Sequence, residues 1–309
     1  MRLPITVVIL TFNEERNLPA CLDSVSAWAQ DVFVVDSGSV DGTLAIARAS
    51  DARIVTHPFE THARQWDWAL RHLPIATDWV LGLDADQRVT PELRDEIQAA
   101  ISPGTSRGGM NGYFVARRQI FRGKWIRHGG YYPKYLLKIF RLQHASVDAD
   151  DLVDHHFVVS GATGKLGGDL IEDNQNEAAI AVWTAKHNRY AALQAQQEFE
   201  AAVTPASVGF RSIFESPDAR TRWLKQLWAR LPLYVRPCLY FGYRYFLRLG
   251  FLDGKDGFIF HVLQAFWYRL LVDINLDELR STHPAREPAR VTARTAPAAE
   301  RPVDEMKPV

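Results

Sequence analysis

Cysteine is almost missing from this sequence: Cys21 and Cys238 are the two in 309 residues, far apart and outside any Cys-x-x-Cys pair. Their scarcity excludes a disulfide scaffold and a cysteine-built zinc site, and makes a reducing, cytoplasmic compartment the default expectation. Surplus charge is missing too. The 36 basic residues are balanced by 36 acidic ones, so the broad electrostatic grip on nucleic acid has no source and no nucleic-acid partner is expected. No basic segment leads into a long apolar stretch with a small-residue cleavage site, and Ile5 to Leu10 reads as a first strand instead of a signal peptide. Nor is there a run of eighteen uncharged apolar residues. Arg236, Arg244 and Arg248 interrupt the most hydrophobic part and His261 and Arg269 the next, so a conventional membrane-spanning helix is not expected. No internal repeat is evident.

What is present has the composition of a folded globular protein, 47% hydrophobic and 23% charged. Over the first hundred residues short β-branched runs alternate with helix-like segments, the pattern of βαβ units around a mainly parallel sheet. Strands are expected at Ile5 to Leu10, Val32 to Val35, Arg53 to Thr56 and Trp79 to Leu83, with helices over Glu15 to Trp28, Gly42 to Ala49 and His62 to His72 between them. Pro91 after Thr90 marks a further helix start. Residues 102 to 111 read as a flexible connection, followed by strands at Tyr113 to Ala116 and Tyr135 to Arg141 and a long helix over Asn176 to Glu200.

From Trp223 to Leu276 leucines and aromatics are interleaved with arginines, the character of amphipathic helices in a membrane interface; packing on the main domain or on a second copy of the chain is the alternative. Beyond Arg280 the Pro-, Ala- and Arg-rich sequence predicts a disordered tail. The expected division is therefore 1–215 as the α/β domain, 216–280 as an amphipathic helical and membrane-associated segment, and 281–309 as tail.

The chemistry-bearing residues collect at strand ends. Leu83 runs into Asp84-Ala-Asp86, two carboxylates one residue apart at a place where an open α/β sheet binds ligands and where oxygen ligands suit Mg²⁺ or Mn²⁺ together with phosphates. A helix-capping role for one of the pair is the plainer reading. Two earlier strands end in Thr11-Phe-Asn13-Glu14 and in Asp36-Ser37-Gly38, so acidic and amide groups converge on one rim. Asp36 can accept from a base N–H or a ribose hydroxyl, and Asp41 reads as a helix cap.

In order and spacing, Val8-Ile-Leu-Thr-Phe-Asn-Glu-Glu15, Val34-Val-Asp-Ser-Gly-Ser-Val-Asp-Gly-Thr43 and Leu83-Asp-Ala-Asp86 resemble the signature of the family-2 glycosyltransferases, inverting enzymes of the GT-A fold. His62-Ala-Arg-Gln65 and Lys186-His-Asn-Arg-Tyr190 are similar to segments of the lipopolysaccharide-core branch, and the resemblance reaches about residue 200. It implies a GT-A type, Rossmann-like unit with a C-terminal aromatic and basic helical extension. It further implies a nucleoside-diphosphate sugar, UDP-linked first, with Thr11, Asn13, Glu14, Asp36 and Ser37 around the nucleoside, Arg64 toward the donor, and Asp84 and Asp86 on ribose and metal. The acceptor implied is a glycan or lipid-linked molecule at the inner face of the cell membrane.

For the general base the family pattern has a carboxylate where this chain reads Leu152-Val-Asp154-His155-His156-Phe157, so a histidine stands in the place of Glu, leaving Asp154 first and His155 second. A transition-metal site at these histidines is disfavoured, since neighbours along a strand face opposite sides. Glu172 and Asp173 read as a solvated turn, and Phe121 to His128 either as a sugar or phosphate contact or as a packed hairpin. Three other functions remain to be weighed: a polyprenyl-phosphate glycosyltransferase, which needs no base; a silent scaffold of envelope assembly; and a nucleotidyltransferase, disfavoured because no Gly-rich phosphate loop with a following Lys is found.

Overall fold

The computed structural model describes residues 2–102, 109–147, 156–203, 228 and 231–283. The expected boundary at 215/216 and all but the first three residues of the expected tail, 281–309, lie outside them; residues 281 and 282 are the end of a helix. Eleven strands are described: β1 Leu3–Thr11, β2 Ala29–Asp36, β3 Arg53–Thr56, β4 Trp79–Asp84, β5 Gln87–Val89, β6 Met110–Phe121, β7 Lys124–Trp125, β8 Lys134–Arg141, β9 Ala145–Val147, β10 Phe157–Val159 and β11 Ala162–Glu172. The main sheet runs in the order β3-β2-β1-β4-β8-β6-β11-β5. Its first four strands are parallel, while β8 is antiparallel to both β4 and β6. This is the doubly wound, mainly parallel sheet with flanking helices that the strand pattern predicts.

Why β1 is buried on both faces from Ile5 onward follows from having helices on both sides. Ile5, Val7 and Ile9 face a layer built from α1 (Leu18–Asp23), α2 (Thr43–Ala49) and α4 (Pro91–Ile101). Val8 and Leu10 face α3 (His62–His72) through Trp66 and Ala69. Helix starts match their chemistry: Thr61 and Thr90 accept from the backbone N–H groups of Arg64 and Leu93, and Pro91 occupies the first turn.

Three expectations are corrected. The helix foreseen over Glu15 to Trp28 is only α1, because Ser24 turns back to hydrogen-bond the carbonyl of Cys21 at 2.7 Å. The long helix, α5, covers Ile180–Val203, with a 3₁₀ turn at Gln175–Glu177 ahead of it. And β11, with no period-2 alternation, is a strand that the pattern did not announce. Its glycines answer to packing: a Cβ on Gly168 would lie 2.5 Å from Leu93 Cα on α4.

The C-terminal extension consists of α6 (Val235–Gly242), a π-helical turn at Tyr243–Leu247, α7 (Gly254–His261) and, after a second π turn at Val262–Trp267, α8 (Tyr268–Thr282). The run Gly250–Thr282 is long and apolar enough to cross a membrane, which the counting of interrupting charges had not foreseen. Its apolar stripe is already covered: Tyr268, Val272 and Leu276 pack on Ala191, Ala195 and Phe199 of α5, and Phe260 packs on Phe121, Ile126 and Trp183. The half of the extension from residue 260 onward therefore takes the packed alternative.

His261 is buried at this junction, with neither ring nitrogen hydrogen-bonded. A Cβ on Gly129, whose φ is +70°, would meet its ring at 2.0 Å. Burial pushes its pKa from 6.5 down to about 4; Asp253 opposes that shift, while Arg244 and His128 add to it. The unfolded chain thus takes up a proton between pH 6.5 and 4 that the folded chain refuses. Stability contributed by this group is full above pH 6.5 and falls by up to ~3 kcal/mol as pH drops toward 4. Glu14, raised to about 7 by burial, has the opposite slope over part of that window. Urea unfolding at pH 7.5 and 4.5 checks the prediction, with His261→Asn expected to lose less stability on acidification than the unaltered chain.

Candidate functional site

The register of the sheet builds the site. Thr11 pairs with Asp36 across β1 and β2, and Leu10 pairs with Asp84 across β1 and β4, so the C-terminal ends of three parallel strands form one continuous rim. This is the edge at which open α/β sheets hold ligands.

Asp36 is fully buried and satisfied by its own surroundings. It accepts from Thr11 Oγ1 at 3.0 Å, from the N–H groups of Gly38 and Ser39 at 2.9 and 2.8 Å, and from Ser39 Oγ. Its carboxylate therefore shapes the turn after β2. Ser37 is locked on both sides, its N–H donating to the Thr11 carbonyl at 3.0 Å and its Oγ accepting from Gln65 Nε2 at 3.2 Å. Asn13, at φ 56°, accepts from the Val40 N–H at 2.9 Å and so closes the β1 loop onto the β2 loop.

Glu14 accepts from Asn17 Nδ2 at 2.7 Å and from Asn176 Nδ2 at 3.0 Å, joining the first loop to the segment before α5. Arg64 stands exposed in the first turn of α3 and is ion-paired with Glu60. Asp84 is held by Lys138 at 3.0 Å, a cation on β8 whose side chain is 3% exposed. The sequence reading did not single out Lys138.

Asp86 is the electrostatically loaded residue. Burial first, then the charges of Glu172, Asp84 and Glu14, hold its carboxyl well above the usual range. Among the described residues no basic group is ion-paired with it. The neighbours come from β11, which pairs antiparallel with β5 and sets Glu172 opposite Gln87. The Asp173 N–H donates to the Asp86 carbonyl at 3.0 Å, and Glu172 is ion-paired with Arg117 at 2.9 Å. The expected solvated turn at Glu172–Asp173 is thus corrected: strand pairing brings both residues to the rim. A cavity of about 120 Å³ lies here, lined by Asp86, Asp173, Arg16 and Arg88 among others. Nearby, Lys186 on α5 is pulled down in pKa by burial but up by more through its pairing with Glu177, and stays cationic.

Among the described residues no three metal-ligating side chains converge. Two hard carboxylates at a crevice leave coordination places to a ligand's phosphates and to water, the way Mg²⁺ is commonly held. Asp154 and His155 lie outside the described residues; His156 next to them is exposed.

Residues 6–158 match the family described as glycosyl transferase family 2. The lipopolysaccharide core biosynthesis glycosyltransferase LpsC of Rhizobium meliloti (strain 1021) is 28% identical over 70% of this chain and 78% of its own. An uncharacterized glycosyltransferase of Rickettsia conorii is 37% identical over 30% of this chain and 33% of its own length. Among solved structures, glucosyl-3-phosphoglycerate synthase from Mycobacterium tuberculosis, in complex with Mn²⁺, UDP and glucosyl-3-phosphoglycerate, is 24% identical. That match has a TM-score of 0.29 and covers 38% of this chain and less than half, 44%, of the mycobacterial one.

Proposed function

Because the chain belongs to glycosyl transferase family 2, we propose that it transfers a sugar, with inversion, from a nucleoside diphosphate to a glycan or lipid-linked acceptor in cell-envelope polysaccharide or lipopolysaccharide synthesis. UDP is the first donor candidate. The observation that carries this reading is the rim itself, with Thr11 opposite Asp36, Leu10 opposite Asp84, and Asp86 two residues on. The likeness to a lipopolysaccharide-core enzyme over most of both chains supports the acceptor class.

Mg²⁺ or Mn²⁺ fits the residues present. Asp84 and Asp86 offer hard oxygens, and the negative charge crowded on Asp86 is what a dication relieves. Such an ion, when bound, offsets the charge that develops on a departing diphosphate. The chain's own groups do the rest. Asp36 holds the Ser37–Ser39 turn against Thr11, so that the nucleoside end meets a rigid frame with Asn13 and Glu14 behind it. Arg64 reaches the donor by exchanging Glu60 for phosphate. Asp154, with His155 the second candidate, takes the proton of the acceptor hydroxyl as its oxygen bonds the anomeric carbon. The bond from that carbon to the β-phosphate oxygen breaks, and its electron pair leaves with the nucleoside diphosphate.

The test is calorimetric titration with UDP and with GDP, each with and without Mn²⁺. UDP is expected to bind in the presence of Mn²⁺, at least tenfold more tightly than GDP. Absence of binding by both nucleotides overturns the reading.

Placement on the inner face of the cell membrane rests on the extension. More than half of the exposed large apolar side chains among the described residues fall between Tyr234 and Phe258, with Arg248 and Lys255 exposed among them. Co-sedimentation with vesicles containing anionic lipid, lost in the Phe246→Asp, Leu247→Asp double variant, is the expected result.

A further inference from the structure

Charge is balanced over the whole chain but not along it. No Asp or Glu stands between Glu96 and Asp148, a stretch with nine lysines and arginines, or between Asp218 and Asp253, a stretch with seven. A surface built from such stretches stays positive unless carboxylates from elsewhere meet it.

Among the described residues the two stretches touch. The Gly129 N–H donates to the Arg248 carbonyl at 2.9 Å, and Arg244 Nη1 donates to the Gly129 carbonyl at 2.7 Å. Asp253 holds His128 through its backbone N–H at 2.9 Å and its Nδ1 at 2.7 Å, and Asp256 pairs with Arg122 at 3.1 Å. The turn around β7 and the extension from Tyr243 to Phe258 therefore form one face.

On that face the carboxylates are already occupied. Asp253 and Asp256 are engaged as above, and Asp169 pairs with Arg118 at 2.7 Å. Lys124, Arg127, Arg248 and Lys255 are exposed, and among the described residues none of the four is ion-paired. They gather closely: a Cβ on Gly254, next to Lys255, would lie 3.3 Å from Lys124 Nζ, and one on Gly130 would lie 3.4 Å from Arg248 Cζ. Arg127 stands 5.3 Å over the Trp125 ring and Arg248 donates to Tyr243 Oη at 3.3 Å, neutral contacts that leave both charges uncompensated.

Between these cations in the extension, Phe246, Leu247, Phe251 and Leu252 are exposed. Apolar side chains beside unpaired cations fit an anionic bilayer, where the former enter the acyl boundary and the latter meet phosphate. A second copy of the chain is the poorer occupant, because a twofold contact would set the same cations against each other.

We propose that Lys124 and Arg127, in the α/β unit, join Arg248 and Lys255 in binding the phosphate headgroups of an anionic bilayer, so that the catalytic unit and the extension attach together. Two contacts from distant parts of the chain fix the angle at which the rim stands to the bilayer, which one contact leaves free. The inference rests on the membrane placement proposed above and adds to it the headgroup chemistry and the second contact.

The test measures partition of the full chain onto phosphatidylcholine vesicles with and without phosphatidylglycerol. Each cation near an anionic surface strengthens binding about fivefold. Lys124→Gln combined with Arg127→Gln is expected to weaken binding to the anionic vesicles at least tenfold and to leave binding to phosphatidylcholine alone unchanged. Its affinity for UDP with Mn²⁺ is expected to stay within twofold. Added salt should weaken the unaltered chain more steeply than this variant. Arg48→Gln combined with Lys165→Gln removes equal charge from exposed positions on α2 and β11, and is expected to bind as the unaltered chain does.

The second contact is overturned if the Lys124 and Arg127 variant binds anionic vesicles within twofold of the unaltered chain, if it loses the same factor on both kinds of vesicle, or if the Arg48 and Lys165 variant loses as much. Loss of UDP affinity also overturns it, by assigning the β7 turn to the donor. Failure of the unaltered chain to bind either kind of vesicle is a separate result that removes the membrane placement and this inference with it.

Discussion

Asp86→Asn is expected to remove Mn²⁺-dependent nucleotide binding and to lower sugar transfer by about 10²–10³-fold, the range found when one charge-stabilising group is taken from an active site, while the protein stays as stable as before or becomes more so. The two halves of this expectation have one cause. Burial and the charges of Glu172, Asp84 and Glu14 raise the Asp86 carboxyl. A carboxylate whose folded pKa exceeds its unfolded value opposes folding at neutral pH. Asparagine keeps the shape and removes that repulsion. A residue kept for packing would show the reverse pattern, with stability falling and binding intact. Thermal denaturation of the nucleotide-free variant, set beside calorimetry with UDP and Mn²⁺, separates the two. Unchanged binding in the variant would remove Asp86 from the donor site. Asp154→Asn, by contrast, should keep nucleotide binding and lose transfer, as befits a group that handles the acceptor proton.

The second large effect concerns the anchoring of the extension. Asp273 on α8, with its side chain 1% exposed, accepts from Arg236 and from the Tyr234 N–H at 2.8 Å; Arg236, 2% exposed, also reaches Glu198 on α5 at 3.0 Å. Asp273→Ala leaves a guanidinium buried with half its counter-charge and a backbone donor without its acceptor. Removing one partner of a buried pair costs about 3–5 kcal/mol, a large share of the ~5–15 kcal/mol by which domains are stable. Urea denaturation should show a loss of that size. Arg236→Met combined with Asp273→Leu should recover most of it, because the burden is the unpaired charge and not the missing bridge. A single-variant loss below about 0.5 kcal/mol would show that the pair does not hold the extension in place.

The same contrast runs through the rim. Thr11, Asp36 and Asp84 are foreseen as neighbours because each ends a short apolar run, and parallel strands of one doubly wound unit end on the same side. Their division of labour is not foreseen. Asp36, expected to face a base or ribose, accepts four internal hydrogen bonds, and Arg64, expected to approach the donor, is occupied by Glu60. A carboxylate is the same letter whether it holds a turn or a ligand. Only the donors around it decide.

What the sequence by itself determined is the first half of the fold and the place of the rim. Strand runs, the Thr90 cap and Pro91 are local signals, each complete within a few residues. Only the tertiary structure decided what meets Asp86. Glu172 and Asp173 arrive there because β11 pairs with β5, joining Gln87 to a partner 85 positions away, and no local pattern names a strand's partner. Gly167 and Gly168 of β11 hide it further, since they answer to α4 crossing the strand rather than to strand propensity. The extension follows the same rule. Its aromatic and basic character was legible residue by residue, but which face meets α5 and which stays exposed is fixed by contacts between elements distant in the chain.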